Sequence, residues 1–384
     1  LREPIHVLQV LSDAQPGGGM TQLLQFVRWT DPARVAWQFA VPDDGPLPDA
    51  LRALGARVHT LNITSRFDIG AIRRLVRLCR EEQFQVVHSH NVRANVHSRI
   101  GAVRAGVPVQ ISTIHNSVYA YDVSRARQRL YAAAERRTAA WATRIIAVSD
   151  GIADELVRRY GIEPAKVVVI PNGIEPDRLQ PARTRAAVRA ELGIDASAPM
   201  ILQVGRLTPQ KGYDLLIAAM PAIRERHPDV QLLCVGDGPD RELLEALAAS
   251  HYMEDQIHFA GHREDVPDLL AAADLVVLAS RSEGMPYTLL EAMGMGLAVV
   301  ATRIGGIADV VEDRTTGVLV PPESSPALAR AIVDLLGDEP RRERLGSAAR
   351  STVMQSFTAG AAAAAVVELY QSSVDAIGSE EKKS

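Results

Sequence analysis

Short β-branched runs alternate with longer stretches of helical periodicity along almost the whole chain, and that alternation restricts it to the α/β class. Strand-like runs lie at 7–11, 38–41, 58–61, 86–88, 109–113, 145–148 and 167–170, with helical spacing at 20–29, 69–82 and 124–142. The rhythm restarts at 200–204, 231–235, 257–259, 275–278, 298–301 and 318–320. Continuous apolar runs predict strands covered on both faces, and strand–helix–strand repetition predicts parallel sheets. Two such series predict two Rossmann-like, doubly wound parallel-sheet domains, with the cleft between them as the expected ligand site. The stretch 171–199 holds Pro171, Pro176, Pro181 and Pro199 and marks the junction. The expected division is 1–175, 176–356 and a C-terminal segment 357–384. Within that segment 357–374 reads as helix and 378–384 as a frayed charged tail.

Composition removes several classes. A chain of 384 residues, 47% hydrophobic and 23% charged, can bury large cores without disulfides or a structural metal. Aromatics are only 4%, which counts against stacking platforms, so no nucleic-acid partner is expected. Cys79 and Cys234 both fall in apolar patterns and read as small core residues of a reducing compartment. The first 180 residues carry six excess positive charges and the remainder ten excess negative ones, so the halves face different partners. No targeting segment precedes the first strand-like run, although the first residue is not Met. The longest apolar stretches, such as 269–279, are too short to cross a bilayer, and Asp274 interrupts that one. A cytoplasmic location is expected.

Four segments could carry chemistry. Gly17, Gly18 and Gly19 follow the first strand and open a helix, where bare backbone and helix amides suit an anion; the plain alternative is a turn that needs positive φ. Arg206 and Lys211 bracket a loop after the first strand of the second half, a planar fork and a point charge spaced to clamp two phosphates. The stretch 280–295 places Glu283, Gly284, Met285 and Pro286 ahead of a helix. Tyr287 stands at its start and Glu291 lies one to two turns in. Two carboxylates flanking a helix N-terminus suit a ligand with hydroxyls at both ends and a diphosphate between. His115 ends a buried strand, where sites of open α/β sheets lie. His88 and His90 end the strand before it and read as structural. No metal-binding spacing is present, and no Asp-x-Asp offers a metal to a sugar-nucleotide diphosphate.

Taken in order, Gly-Gly-Gly19, Ile-Ala-Val-Ser149, Pro-Asn-Gly-Ile174, Gly-Arg-Leu-x-x-x-Lys-Gly212, Glu283-Gly-x-Pro, Glu291-Ala-Met and Gly305-Gly306-Ile resemble, nearly end to end, the family-four retaining glycosyltransferases of the two-domain GT-B fold. The resemblance implies that Arg206 and Lys211 hold the donor diphosphate, Glu291 the ribose hydroxyls, and Glu283 the transferred sugar. The backbone around Gly284, Met285, Pro286 and Tyr287 would support both through its free amides, Gly18 or Gly19 would bring amides to the diphosphate, and His115 would reach the donor sugar. The C-terminal helix would return to the first domain.

A retaining hexosyl transfer is therefore expected, from a UDP-sugar first and GDP-mannose second, to a glycan or lipid-linked acceptor. No cofactor or metal is expected, since cations and amides would stabilise the leaving diphosphate. Arg125, Arg127, Arg129, Arg136 and Arg137, with Tyr131 and Trp141, make 124–142 (Ser124 to Ala142) a basic helix able to meet an anionic membrane surface, on the inner face of the plasma membrane. A sugar-nucleotide epimerase of the same architecture and a non-catalytic nucleotide-sugar-binding protein are the alternatives. A dinucleotide oxidoreductase is weakest, because neither half carries its glycine fingerprint.

Overall fold

The computed structural model describes residues 3–65, 68–120 and 124–381. It divides into two compact units, one running to Gly173 and resuming at Ala359, the other spanning Ile174–Thr358. In the first, β1 (Ile5–Leu11), β2 (Val35–Val41), β3 (Arg57–Thr60), β4 (Val86–His90), β5 (Val109–Ile114), β6 (Arg144–Ala147) and β7 (Val167–Val169) form a sheet ordered β3-β2-β1-β4-β5-β6-β7. In the second, β8 (Met200–Val204), β9 (Gln231–Val235), β10 (Ile257–Phe259), β11 (Leu275–Leu278), β12 (Val299–Thr302) and β13 (Val318–Val320) are ordered β10-β9-β8-β11-β12-β13. The strand pairs are parallel in both.

The apolar runs sit where two-sided burial requires. In β1, Val7 and Leu11 join one core while Leu8 and Val10 join the core on the opposite face. Strand order reverses between β1 and β4 and between β8 and β11. At each reversal the crossover helices leave on opposite faces, and the loops at the strands' carboxyl ends open a crevice. Register makes those loops neighbours: Leu11 pairs with His90, His90 with Thr113, and Leu202 with Val276.

The helix Ala359–Glu381 packs Ala363, Val366, Val367 and Tyr370 into the core that also holds Leu23, Phe26 and Val35. Their spacing is that of one helix face. Two expectations about this segment are corrected. Phe357 is not helical here; its amide closes the helix Glu339–Ser356 and its carbonyl accepts the Ile174 amide at 2.9 Å. The last helix also continues through Gly378 to Glu381 instead of fraying, while 382–384 lie outside the described residues.

The basic helix Arg125–Ala139 is capped by the Ser124 hydroxyl and tied down by a buried ion pair, Arg99 Nη1 to Glu135 Oε1 at 2.6 Å. Arg99 also donates to Ser112 Oγ and Thr138 Oγ1, both at 3.1 Å. Removing one partner leaves a charge buried and uncompensated, which costs about 3–5 kcal/mol. Glu135→Ala is therefore expected to lower the urea midpoint of the first unit by that equivalent. A midpoint within error of the parent would show the pair to be dispensable.

Candidate functional site

The loop 205–212 leaves β8 and the loop 279–286 leaves β11, at the strand-order reversal of the second unit. Their close approach depends on glycine. Gly212 has φ +65°, and a Cβ there would lie 2.0 Å from the Ala279 carbonyl oxygen. Gly305 leaves similar room for the Glu283 carbonyl oxygen, 2.4 Å from where its Cβ would stand. Tyr213 OH donates to the Gly205 carbonyl at 2.9 Å and steadies the turn.

Lys211 Nζ donates to Glu283 Oε1 at 2.6 Å, and Ser280 Oγ donates to the same oxygen at 2.8 Å. The structure thus brings two of the expected site residues into one ion pair. Glu283 is buried and Lys211 half-buried, whereas Arg206 is exposed and forms no ion pair among the described residues. Gly284 and Met285 are buried behind them. Pro286 precedes the helix Tyr287–Gly294, whose fifth residue is Glu291. In the first turn of that helix the Leu289 amide donates to the Pro286 carbonyl at 3.2 Å. Burial pushes the Glu291 carboxyl up to about 7. Burial, with the charges of Glu291 and Glu175, also raises the Tyr287 phenol.

In the first unit, Gly17 precedes the helix Gly18–Trp29 with φ 165°, ordinary extended backbone. None of Gly17, Gly18 and Gly19 lies in the left-handed region, which removes the strained-turn explanation. A Cβ at Gly17 would meet nothing within 4 Å, so neither backbone conformation nor packing demands glycine there. Gln22 and Gln25 of this helix donate to Asn172 Oδ1 at 3.1 Å and to the Gly173 carbonyl at 2.9 Å, anchoring the Pro-Asn-Gly segment. Ser149 is a helix cap, its hydroxyl accepting from the Ile152 amide. His115 stands past the end of β5 with Nε2 3.1 Å from His90 Nδ1, and burial lowers it to about 4. His88 and His90 are wholly buried.

Residues 184–352 match the family described as glycosyl transferases group 1, and residues 16–178 the one described as Glycosyltransferase Family 4. A relative named alpha-D-kanosaminyltransferase, from Streptomyces kanamyceticus, is 31% identical over 69% of this chain and 71% of its own length. The chain belongs to the group 1 glycosyltransferases. Another relative, UDP-Gal:alpha-D-GlcNAc-diphosphoundecaprenol alpha-1,3-galactosyltransferase from Escherichia coli, is 29% identical over 77% of this chain and 79% of its own. Among solved structures, Anabaena Alr3699/HepE in complex with UDP-glucose superposes with a TM-score of 0.85 at 24% identity, covering 96% of this chain and all of that one. The fold is GT-B.

Sequence reasoning missed part of this candidate site. Arg281 forks onto Asp214 with two 2.7 Å hydrogen bonds, and also donates to Glu323 Oε1 and the Pro209 carbonyl. Its amide donates to the Gln210 carbonyl, and Gln210 Nε2 donates to the Ser282 carbonyl, both at 2.7 Å. These bonds stitch the Lys211 loop to the Glu283 loop. Burial would raise the Asp214 carboxyl, yet Arg281 holds it below its ordinary range. Arg281 lies inside a stretch already singled out, but only the folded chain shows its partner 67 residues away.

Glu291 gives a pH-dependent stability. Its folded pKa of about 7 exceeds the ordinary 4.5, so the native state holds the proton more tightly than the unfolded chain. That contribution is complete below about pH 4.5 and is lost as pH rises through 7. Glu291→Gln removes the titration, and its urea stability relative to the parent should improve by on the order of 3 kcal/mol between about pH 4 and pH 8. A pH-independent difference would refute the shifted carboxyl.

Proposed function

We propose that this glycosyltransferase moves a hexosyl unit with retention from a UDP-sugar, GDP-mannose being the second candidate, to a glycan or lipid-linked acceptor, without a divalent metal. The observation that carries this reading is the second unit's strand-order reversal, whose two loops bring Lys211 onto Glu283 and lead into the helix that holds Glu291. Lys211 and the nearby exposed Arg206 supply the positive charge that a departing diphosphate requires. In this reading the donor enters as Lys211 turns from Glu283 to phosphate, which leaves Glu283 free to accept from a sugar hydroxyl. The Glu291 carboxylate accepts from the ribose. The UDP-Gal donor and diphosphoundecaprenol acceptor in one relative's name, and the UDP-glucose held by the Anabaena protein, favour uridine and a lipid-linked acceptor.

For the acceptor, the first unit offers a cavity of about 700 Å³ whose lining includes Asp13, Asp44, Asn91, Arg93 and His97. Tyr131 lines this cavity as well and is half-buried, so it does not share the exposed face where it was expected. Arg125, Arg127, Arg129, Arg136, Arg137 and Trp141 are exposed and form the proposed surface for anionic lipid. No helix among the described residues is long and apolar enough to cross a membrane.

Arg206→Ala is the cleanest test, because an exposed side chain leaves little behind. Turnover of the donor should fall about 100-fold or more at an unchanged melting temperature. In a thermal-shift panel of UDP, GDP, ADP and NAD, UDP at about 100 times its Kd should add about 2.7 kcal/mol, several degrees, with or without EDTA. A shift with NAD alone, or one abolished by EDTA, would overturn the donor site or its independence of metal.

A further inference from the structure

One residue, Arg281, holds the turn that carries Lys211 from both sides. Its Nη1 donates to the Pro209 carbonyl, just before Lys211, and its fork takes both oxygens of Asp214, just after, each at 2.7 Å. Its own amide donates to the Gln210 carbonyl, also at 2.7 Å. Its Nε donates to Glu323 Oε1 at 2.7 Å, so the loop after β13 joins the same clamp. Glu323 stands at φ +56°, a left-handed conformation that a residue with a side chain keeps when its surroundings hold it there. All of these residues lie within the second unit.

Arg281 is itself poorly placed to bind a diphosphate. Four of the five N–H donors of its guanidinium are taken, and two carboxylates already face its single charge. Among the described residues its side chain makes no hydrogen bond or ion pair with Lys211 or Glu283. What the clamp fixes is the backbone beneath the ammonium. The Lys211 amide donates to the Thr208 carbonyl at 3.0 Å, and the Lys211 carbonyl accepts from Gln203 Nε2 at 2.8 Å. Its stem lies along Gly205, where a Cβ would stand 3.4 Å from Lys211 Cε and 3.5 Å from its Cδ. The tip alone, Nζ on Glu283 Oε1 at 2.6 Å, makes a bond that an anion can replace.

We propose that Arg281 is a positioning residue that fixes the root of Lys211 through Asp214 and the Pro209 carbonyl, so that the ammonium passes from Glu283 to the donor diphosphate by turning the side chain alone. The diphosphate in that statement rests on the proposed function. A lysine carries its charge on a flexible stem, and a fixed root narrows the places that charge can reach. No loop then has to be ordered when the donor arrives, which leaves more of the contact energy for binding. Arginine is the residue this task requires. Its planar fork meets Asp214 in two parallel bonds and leaves Nε for Glu323, whereas a lysine could neutralise Asp214 without fixing the spacing of the loops.

Calorimetric binding of UDP to the full chain, read as a double-mutant cycle, tests this. Arg281→Ala and Lys211→Ala should each weaken UDP about tenfold, and together little more than either alone, because without Lys211 the clamp has nothing to position. In an Arg206→Ala background, Arg281→Ala should still show its whole loss of about tenfold. Losses that multiply with Lys211→Ala would mark Arg281 as a merely structural residue or a ligand in its own right, and would overturn the proposal. Unchanged affinity in Arg281→Ala, or full affinity in Arg281→Lys, would overturn it as well. Should Arg281→Ala fail to fold, Asp214→Asn decides by the same cycle: it keeps the shape of the carboxylate, gives up one bond of the fork, and should weaken UDP about threefold. If Lys211→Ala binds UDP as well as the parent does, the proposed diphosphate site falls and the positioning role falls with it. Multiplying losses in a protein whose Lys211 does hold UDP sink the clamp alone.

Discussion

All-parallel pairing is the constraint from which the rest of the structure follows. A parallel sheet cannot be closed by hairpins, so each strand requires a crossover, and the right-handed twist directs each crossover to one face. Where strand order reverses, two neighbouring carboxyl-end loops have their helices on opposite faces, which is where sites of open α/β sheets lie. In the second unit those loops carry Lys211 and Glu283; in the first they follow β1 and β4, beside the glycine helix and the histidines.

Holding the second-unit loops together is a separate problem, because both are rich in charge. The solution is nearly all side chain to backbone or ion pair: Arg281 with Asp214, Gln210 with Ser282, Tyr213 with Gly205. Lys211 and Glu283 neutralise each other across 2.6 Å. That arrangement keeps a buried carboxylate tolerable without a ligand, and it means that any anion that recruits Lys211 must compete with Glu283. Arg206, by contrast, keeps its charge in solvent until something anionic arrives.

The first unit handles polarity differently. At the ends of β4 and β5, Gln9, His88, His90 and Thr113 share one buried hydrogen-bonded cluster. The last helix, far away in sequence, supplies the Tyr370 phenol to it. Buried polar chains of this kind are costly when one member is missing, so they specify one arrangement of the elements that contribute to them.

The alternation of apolar runs located the strands to within a few residues, because two-sided burial favours near-continuous apolar runs and so leaves a local mark. The motif residues after β8, β11 and β12 also left a local mark: glycine where backbones nearly touch, as at Gly212 and Gly305, and charge at loop positions. The sequence by itself therefore determined the class of fold, the loops that bear function and the residue types on them. Partnership was left to the tertiary structure. That Arg281 grips Asp214, that Arg99 is buried against Glu135, and that Tyr370 reaches a histidine 282 residues earlier depend on which elements are brought side by side, and no local pattern encodes this. The raised carboxyl of Glu291 likewise belongs to the folded state alone, since desolvation comes from neighbours that only packing supplies.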